Sequence, residues 1–539
     1  MMARRYGRYV GIAGLFAALL GMTAAAQAVD DPPKPESAEV VAAINAAIEE
    51  AWASGEIRPS PKATEPEFLR RAYLDTLGRI PNLQEATSYL ENRDPNKRIK
   101  LVDLLLAHPD YAKNFGTIWT VNLVGRRRQE RNVDRGALTA WLRLQFANNR
   151  PWDQMARELI AVKGSNKENG AANFTLAHME FDKVPLTSVT TRVFLGQQIQ
   201  CTQCHDHPST DRKQGDFWSI NAFYKGTRSR VVTRVDSTGA EVDDHVELYD
   251  EPTDAYAKYD RRDGTVRIAF PAYLDGRKIS QGTEVDRREE LGRFVTGGDN
   301  PDFARAMVNR MWAHYFGRGF VHPVDDMGDH NPPSHSELLD QLADVFRRSG
   351  YDVKALCRWI MTSRAYGLTS RMTPDNDKDE TLFSHVGLKP MTPEQLHESL
   401  LVATAAHQAG GGDNDAKRER WLNQFLFTFA TDEGEESTSF QGTIPQALMM
   451  MNGDLMEEAV GGKPGSFLRG LVEQSQIQRG SPPDVFVISR LYLAALSRPP
   501  SPPELNTARE LLRRNPDPIG VVQDVFWALL NSNEFVLNH

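Results

Sequence analysis

"TEPEFLRRAYLDTLG", residues 64–78, shows the pattern on which most of this chain is built. Thr64 and Glu67 have capping-box spacing, in which a hydroxyl accepts from the backbone N–H three residues on. Pro66 falls in the first turn, where a missing N–H costs nothing. Gly78 stands where a helix end favours a left-handed residue. The stretch predicts a helix that opens at Thr64 and stops at Gly78.

The same devices recur on either side. Asn82 and Glu85 repeat the capping spacing in "NLQEATSYL", and "AEVVAAINAAIEEAWA" sets Val41, Ile44, Ile48 and Trp52 on one stripe. "KRIKLVDLLLAH", "ALTAWLRLQFANN" and "PWDQMARELIAVKG" are periodic in the same way. In "LTSVTTRVFLGQQIQ" the apolar face is Val189, Val193, Phe194 and Ile199, and the pattern runs into a pair of cysteines. From Asp286 onward Asp286/Glu289, Ser334/Glu337, Thr392/Gln395 and Ser501/Glu504 have capping spacing. Asn300-Pro301 marks a helix start, and Gly317 and Gly350 mark ends. "GGGDNDAK" at 410–417 reads as an exposed loop. Between 228 and 285 the texture changes: "RSRVVTRVD", "AEVDDHVELYD" and "GTVRIAFPAYLDG" are β-branched runs separated by turn residues. The expectation is a mainly α fold, with helical domains at 38–227 and 286–539 and a small β-rich insert at 228–285.

Residues 1–28 carry Arg4, Arg5 and Arg8, then a short apolar run, then "AQA" ending at Ala28, the pattern of a cleaved secretory signal. A Pro- and charge-rich leader follows at 29–37. The protein is therefore expected outside the cytoplasm, periplasmic or extracellular, with no stable membrane span after cleavage. The 539 residues carry a formal charge of −9 and no long basic run, which argues against a nucleic-acid partner. Three cysteines are too few for a disulfide scaffold. Cys357, in "VKALCRWIM", shares a helical face with Val353, Leu356 and Ile360 and reads as a small core residue.

Cys201 and Cys204 are different. Cys201-Thr202-Gln203-Cys204-His205 fits C-x-x-C-H, the c-type haem attachment pattern. Two thiols about one turn apart each form a thioether with a porphyrin edge, and the neighbouring imidazole reaches the iron. His205 would be that ligand, with a backbone carbonyl orienting its ring. Three alternatives stay open: a local disulfide, a redox dithiol, or zinc or another divalent metal held with His207 and a distant residue. For a second iron ligand the candidates are His207, His314, His335 and the methionines of "ALMMMNGD".

A second polar cluster, "NRMWAHYFGRGFVHPVDDMGDHNPPSHSELLD" (309–340), holds His314, His322, His330 and His335 beside Asp325, Asp326 and Asp329. Clustered His and Asp suit a metal or an acid/base pair, and His314, Asp325, Asp326 and His335 form an alternative metal cluster. The structural reading of the same window pairs Asp325 or Asp326 with Arg310 or Arg318 and caps the next helix with Ser334. No P-loop, G-x-S-x-G elbow or dinucleotide fingerprint occurs.

"FLRRAYLDTLGRIP", "FLGQQIQCTQCHDHP" and "KQGDFWSINAFY" together resemble the planctomycete-type secreted, cytochrome-associated domain of unknown function. "REELGRFVTGGDNPDFARAMVNRMWAHYFGRGFVHPVDDMGDHNPPSHSELLD", "LCRWIMTSRAY" and "TIPQALMMMNG" resemble its usual C-terminal partner domain. The resemblance covers roughly residues 38–535 and implies an exported bacterial protein of a large paralogous group, without an established reaction. The family's C-x-x-C-H-D-H-P falls on Cys201, Cys204, His205, Asp206, His207 and Pro208. Where relatives place an aromatic and then a Trp, this chain has Ser209 and Arg212. The expectation is an exported protein with one haem c on Cys201, Cys204 and His205, serving electron transfer with an exported redox partner or a haem-dependent oxidation. The competing expectations are a non-haem metal-dependent enzyme acting on extracellular polymers, and an envelope structural or binding protein with the cysteines as a disulfide.

Overall fold

The helix expected at residues 64–78 forms as Glu65–Leu77 in the computed structural model of the chain, which describes residues 36–126, 132–252, 256–279, 285–409, 411–429, 443–477 and 483–539. Thr64 Oγ1 accepts from the Glu67 N–H at 3.4 Å, and Gly78 closes the helix at φ +70°. A side chain at Gly78 would meet Asn114 Oδ1 at 2.5 Å, so both conformation and space demand glycine.

Every residue from Phe68 to Leu77 is buried, so this helix has no solvent face. It serves two cores at once. Phe68, Leu69, Ala72, Tyr73 and Leu77 enter a larger core that runs from Val40 to Val386. Leu74, with Ile80, enters a smaller one built from Met391 to Phe535. The larger core draws residues from both sides of the strand-rich stretch.

A helix buried all round is ordinarily apolar; this one carries Arg70, Arg71 and Asp75. Buried charge is tolerable only when its hydrogen bonds are made. Arg70 donates to the carbonyls of Ala495 and Phe535 at 2.9 and 2.7 Å, and Arg71 to those of Tyr366 and Leu368 at 2.6 and 2.9 Å. The Asp75 carboxylate accepts from Lys389 Nζ (2.7 Å), the Tyr366 hydroxyl (2.8 Å) and Asn538 Nδ2 (2.7 Å). Lys389 also donates to the carbonyls of His314 and Tyr315, at 2.7 and 3.0 Å. Burial lowers the lysine's proton affinity, and the Asp75 charge opposes that shift. The short strands Lys389–Pro390 and Leu537–Asn538 pair beside it and hold the chain's end on this hub.

The fold is mainly α, as expected. Capping boxes close at Asn82/Glu85, Thr392/Gln395 and Ser501/Glu504, and Asp286 caps the helix Arg287–Thr296. Ser334 does not cap: the helix Ser336–Arg348 starts after His335, and the Ser334 hydroxyl bonds the His335 ring instead. On the first described helix, Ser37–Ser54, the buried stripe is Val40, Ile44, Ile48 and Trp52, one residue off the expected Val41. Cys357 is fully buried in Val353–Met361, which pushes its thiol up to about 12. Strands Gly164–Ser165, Glu241–Asp250 and Thr227–Val235 form a three-stranded antiparallel sheet, with Glu241–Asp250 central. Ala257–Asp260 and Val266–Ala269 form a separate hairpin. The expected signal at 1–28 and nearly all of the leader lie outside the described residues. No described helix is long and apolar enough to cross a membrane.

Candidate functional site

The helix expected to run into the cysteines ends sooner, at Leu195, where Gly196 turns left-handed at φ +65°. A separate 3-10 turn, Gln200–Gln203, then carries the motif. Thr202 is its anchor: it is fully buried, and its hydroxyl donates to the Ile199 carbonyl at 2.6 Å. With Thr202 pointing in, Cys201 and Cys204 both point out, exposed and as free thiols. Partial burial raises the Cys201 thiol above its ordinary value.

The motif is fastened to the helix that follows it, Gln214–Ala222. The Gln203 carbonyl accepts from Gln214 Nε2 and Trp218 Nε1, both at 3.1 Å, and Asp206 Oδ1 accepts from the Gln214 N–H at 2.9 Å. The Trp218 ring stacks on Tyr259 of the hairpin at 5.8 Å. Arg212 donates to the Leu274 carbonyl (2.7 Å) and to Gln197 Oε1 (3.1 Å).

His205 is half-buried, and its Nδ1 lies 2.7 Å from the Asp206 carbonyl oxygen. A carbonyl only accepts, so Nδ1 carries the proton and Nε2 keeps its lone pair. This is the backbone orientation expected of a metal-bound imidazole. His207 differs: its Nδ1 accepts from the Ser209 N–H at 3.2 Å.

His207 lies in the wall of a polar cleft of about 690 Å³, between the motif loop and the loop 326–336. Across it stands His330, with ring centroids 5.8 Å apart, and His330 Nε2 donates to Asp326 Oδ1 at 2.9 Å. Deeper in, Asp302 accepts from Gln197 Nε2 at 2.7 Å, and desolvation holds its carboxyl above the ordinary range. Desolvation and the neighbouring His330 lower the His207 pKa. The cleft therefore unites the two polar stretches of the sequence through His207, Asp326 and His330. His330 was noted within its stretch but not singled out; its four-residue spacing from Asp326 was the available signal.

The remaining candidates do not join them. His314 is half-buried and donates from Nε2 to the Asp75 carbonyl at 2.8 Å, as part of the hub. Asp325 pairs with Arg310 and with Arg192, the first as the structural reading expected. His335 is 8% exposed and packs on Phe320 and Phe383, so it is a core residue. The expected cluster of His314, Asp325, Asp326 and His335 is thus not assembled, because three of the four are tied into separate packing. Among the described residues no three His, Cys, Asp or Glu side chains are grouped to hold a metal ion. Of the "ALMMMNGD" methionines, Met450 belongs to the smaller core.

Residues 43–229 match PSCyt2, described as a protein of unknown function (DUF1549). Residues 287–439 match PSD1, likewise described as a protein of unknown function (DUF1553). The chain thus carries a PSCyt2 region followed by a PSD1 region. The resemblance drawn from the sequence is thereby confirmed in identity and order. The C-x-x-C-H motif and His207 fall inside the PSCyt2 match and His330 inside PSD1, so the polar cleft is made by both families together. No curated protein and no solved structure matches the chain.

Proposed function

We propose that this PSCyt2–PSD1 protein is exported and carries one c-type haem, with Cys201 and Cys204 as the thioether sulfurs and His205 as an iron ligand. The observation that carries the reading is the pairing of two exposed thiols with an imidazole whose Nδ1 is fixed on the Asp206 carbonyl. The donor set fits the group. Thr202 anchors the turn while both thiols stay exposed, and His205 presents Nε2 without a rival hydrogen bond among the described residues. When bound, haem supplies one-electron chemistry. Cys201 and Cys204 are exposed and His205 is half-buried, so contact with solvent is a feature of this reading. Solvent contact suits electron exchange with an exported partner.

The test is expression with and without the c-type maturation apparatus. A Soret band, together with a mass increase that vanishes in Cys201→Ala/Cys204→Ala, is the expected result. A correctly exported sample that is colourless and iron-free overturns the reading.

A second reading has its own observation, the His330–Asp326 pair facing His207 across a polar cleft. A carboxylate that orients an imidazole is the arrangement of a general base. On this reading the protein is an enzyme acting on extracellular polymers. Activity on such a polymer lost in His330→Ala and kept in Cys201→Ala/Cys204→Ala would select it over the haem reading.

A further inference from the structure

A second charged cleft shares no lining residue with the polar cleft beside the cysteine motif. It has a volume of about 890 Å³ and is bounded by residues 58–62, by 92–99 at the start of the helix Lys97–Ala107, and by the turn 361–368. Its wall carries six cations, Arg58, Lys62, Arg93, Lys97, Arg98 and Arg364, against two carboxylates, Glu65 and Asp94. That imbalance sits in a chain of formal charge −9.

Both carboxylates are already engaged. Glu65 lies 2.9 Å from Arg98 and 3.6 Å from Lys97, and also accepts from the Tyr89 hydroxyl. Asp94 pairs with Lys100. Arg364 turns away to Glu49 and the Trp52 ring. Arg58, Lys62 and Arg93 remain, all exposed and none within ion-pair distance of a carboxylate among the described residues. Three cations lining one concavity repel one another, a cost that a bound anion removes.

The helix at the cleft's edge fits the same occupant. Its first turn is "KRIK", with no acidic residue and no side-chain cap. Cations there oppose the helix dipole, which favours negative charge at an N-terminus. The floor of Phe68, Val102 and Leu368 is rigid core, so the concavity is preformed.

We propose that this cleft binds a multivalent oxyanion, a ligand with two or more phosphate, sulfate or carboxylate groups. The volume exceeds what one tetrahedral ion fills, and the three unpaired cations come from two separate segments. Binding here is independent of the haem.

The full chain is titrated calorimetrically at low salt with tripolyphosphate, a disulfated disaccharide and citrate, one for each anion chemistry. Tight binding of at least one probe is expected. It should weaken at least about tenfold in Arg58→Ser/Lys62→Ser/Arg93→Ser, as expected when charge partners at a recognition site are removed. The control Lys258→Ser/Arg262→Ser/Arg267→Ser removes equal charge from the exposed hairpin and should leave affinity within about twofold. The probe that binds identifies the anion chemistry. Absence of binding by all three, or equal weakening in both triple variants, overturns the proposal. Should the first triple variant fail to fold, Arg93→Ser alone carries the same comparison with Arg267→Ser.

Discussion

The Asp75 hub and the cysteine loop use the same vocabulary of histidine, aspartate and basic residues, and do opposite things with it. At the hub the central ion pair is saturated: Lys389 has three oxygen partners and the Asp75 carboxylate three donors. Neither member of that pair is left over for a ligand. In the loop Thr202 alone is sunk into the protein, while both thiols and His205 Nε2 face outward with little to hold them. Saturated polar groups specify a fold, whereas groups with unused valence are available for chemistry. His314 shows how sharply the two differ. As sequence it was one of the candidates for a second iron ligand, yet its Nε2 is committed to the Asp75 carbonyl.

The contrast breaks most visibly, or holds, at Asp75. Replacing it with Ala leaves the Lys389 ammonium buried without its carboxylate, and a loss of about 3–5 kcal/mol in urea denaturation is expected. Asp75→Ala/Lys389→Met should be less damaging than the two single changes summed, with a coupling of about 0.5–3 kcal/mol. A loss for Asp75→Ala no larger than about 0.5 kcal/mol, the range of ordinary surface sites, would erase the distinction.

Between the extremes lies Arg498, which bridges Glu504 and Glu534 at 2.8 and 2.6 Å and ties the chain's last turn to the helix Pro502–Arg514. Its hydrogen bond is the main reason the Glu504 carboxyl is held down at about 2, against an ordinary 4.5. A carboxyl depressed in the folded state contributes stability above its unfolded pKa and loses it as pH falls through the folded one. Thermal midpoints should therefore decline between about pH 4.5 and about pH 2, with a shallower decline in Arg498→Met. Equal slopes in the two proteins would remove this pair from the account.

The smallest effect on stability belongs to the loop. Cys201→Ala/Cys204→Ala should shift the urea midpoint by no more than about 0.5 kcal/mol. In protein made without haem maturation, an aromatic disulfide reagent should titrate two thiols in the native state and Cys357 only on unfolding. Protection of Cys201 and Cys204 in that sample would mean that the loop is closed, and the comparison with the hub would fail.

Legibility follows the range of the interaction. Caps at Thr64, Asn82, Thr392 and Ser501 were readable because donor and acceptor are three residues apart. Ser334 has the same spacing but was drawn to its neighbour His335, whose ring is fixed by the distant Phe383. The C-x-x-C-H spacing was readable; the polar cleft that joins its loop to residues 326–336 was not, since the two are more than a hundred residues apart. Arg70, Arg71 and Asp75 look like the polar face of an ordinary surface helix. Their partners lie 425, 295 and 463 residues away, at Ala495, Tyr366 and Asn538.

By itself the sequence determined most helix starts and stops, that strands gather between 228 and 285, and that two thiols and an imidazole fall close together in the chain. These are decided by torsions and contacts within a few residues, which the order of amino acids dictates directly. Only the tertiary structure decided which charges are buried and saturated, which histidines are core, and which side chains face one another across a cleft. Those outcomes depend on desolvation and on partners brought together from remote parts of the chain, and no local pattern records them.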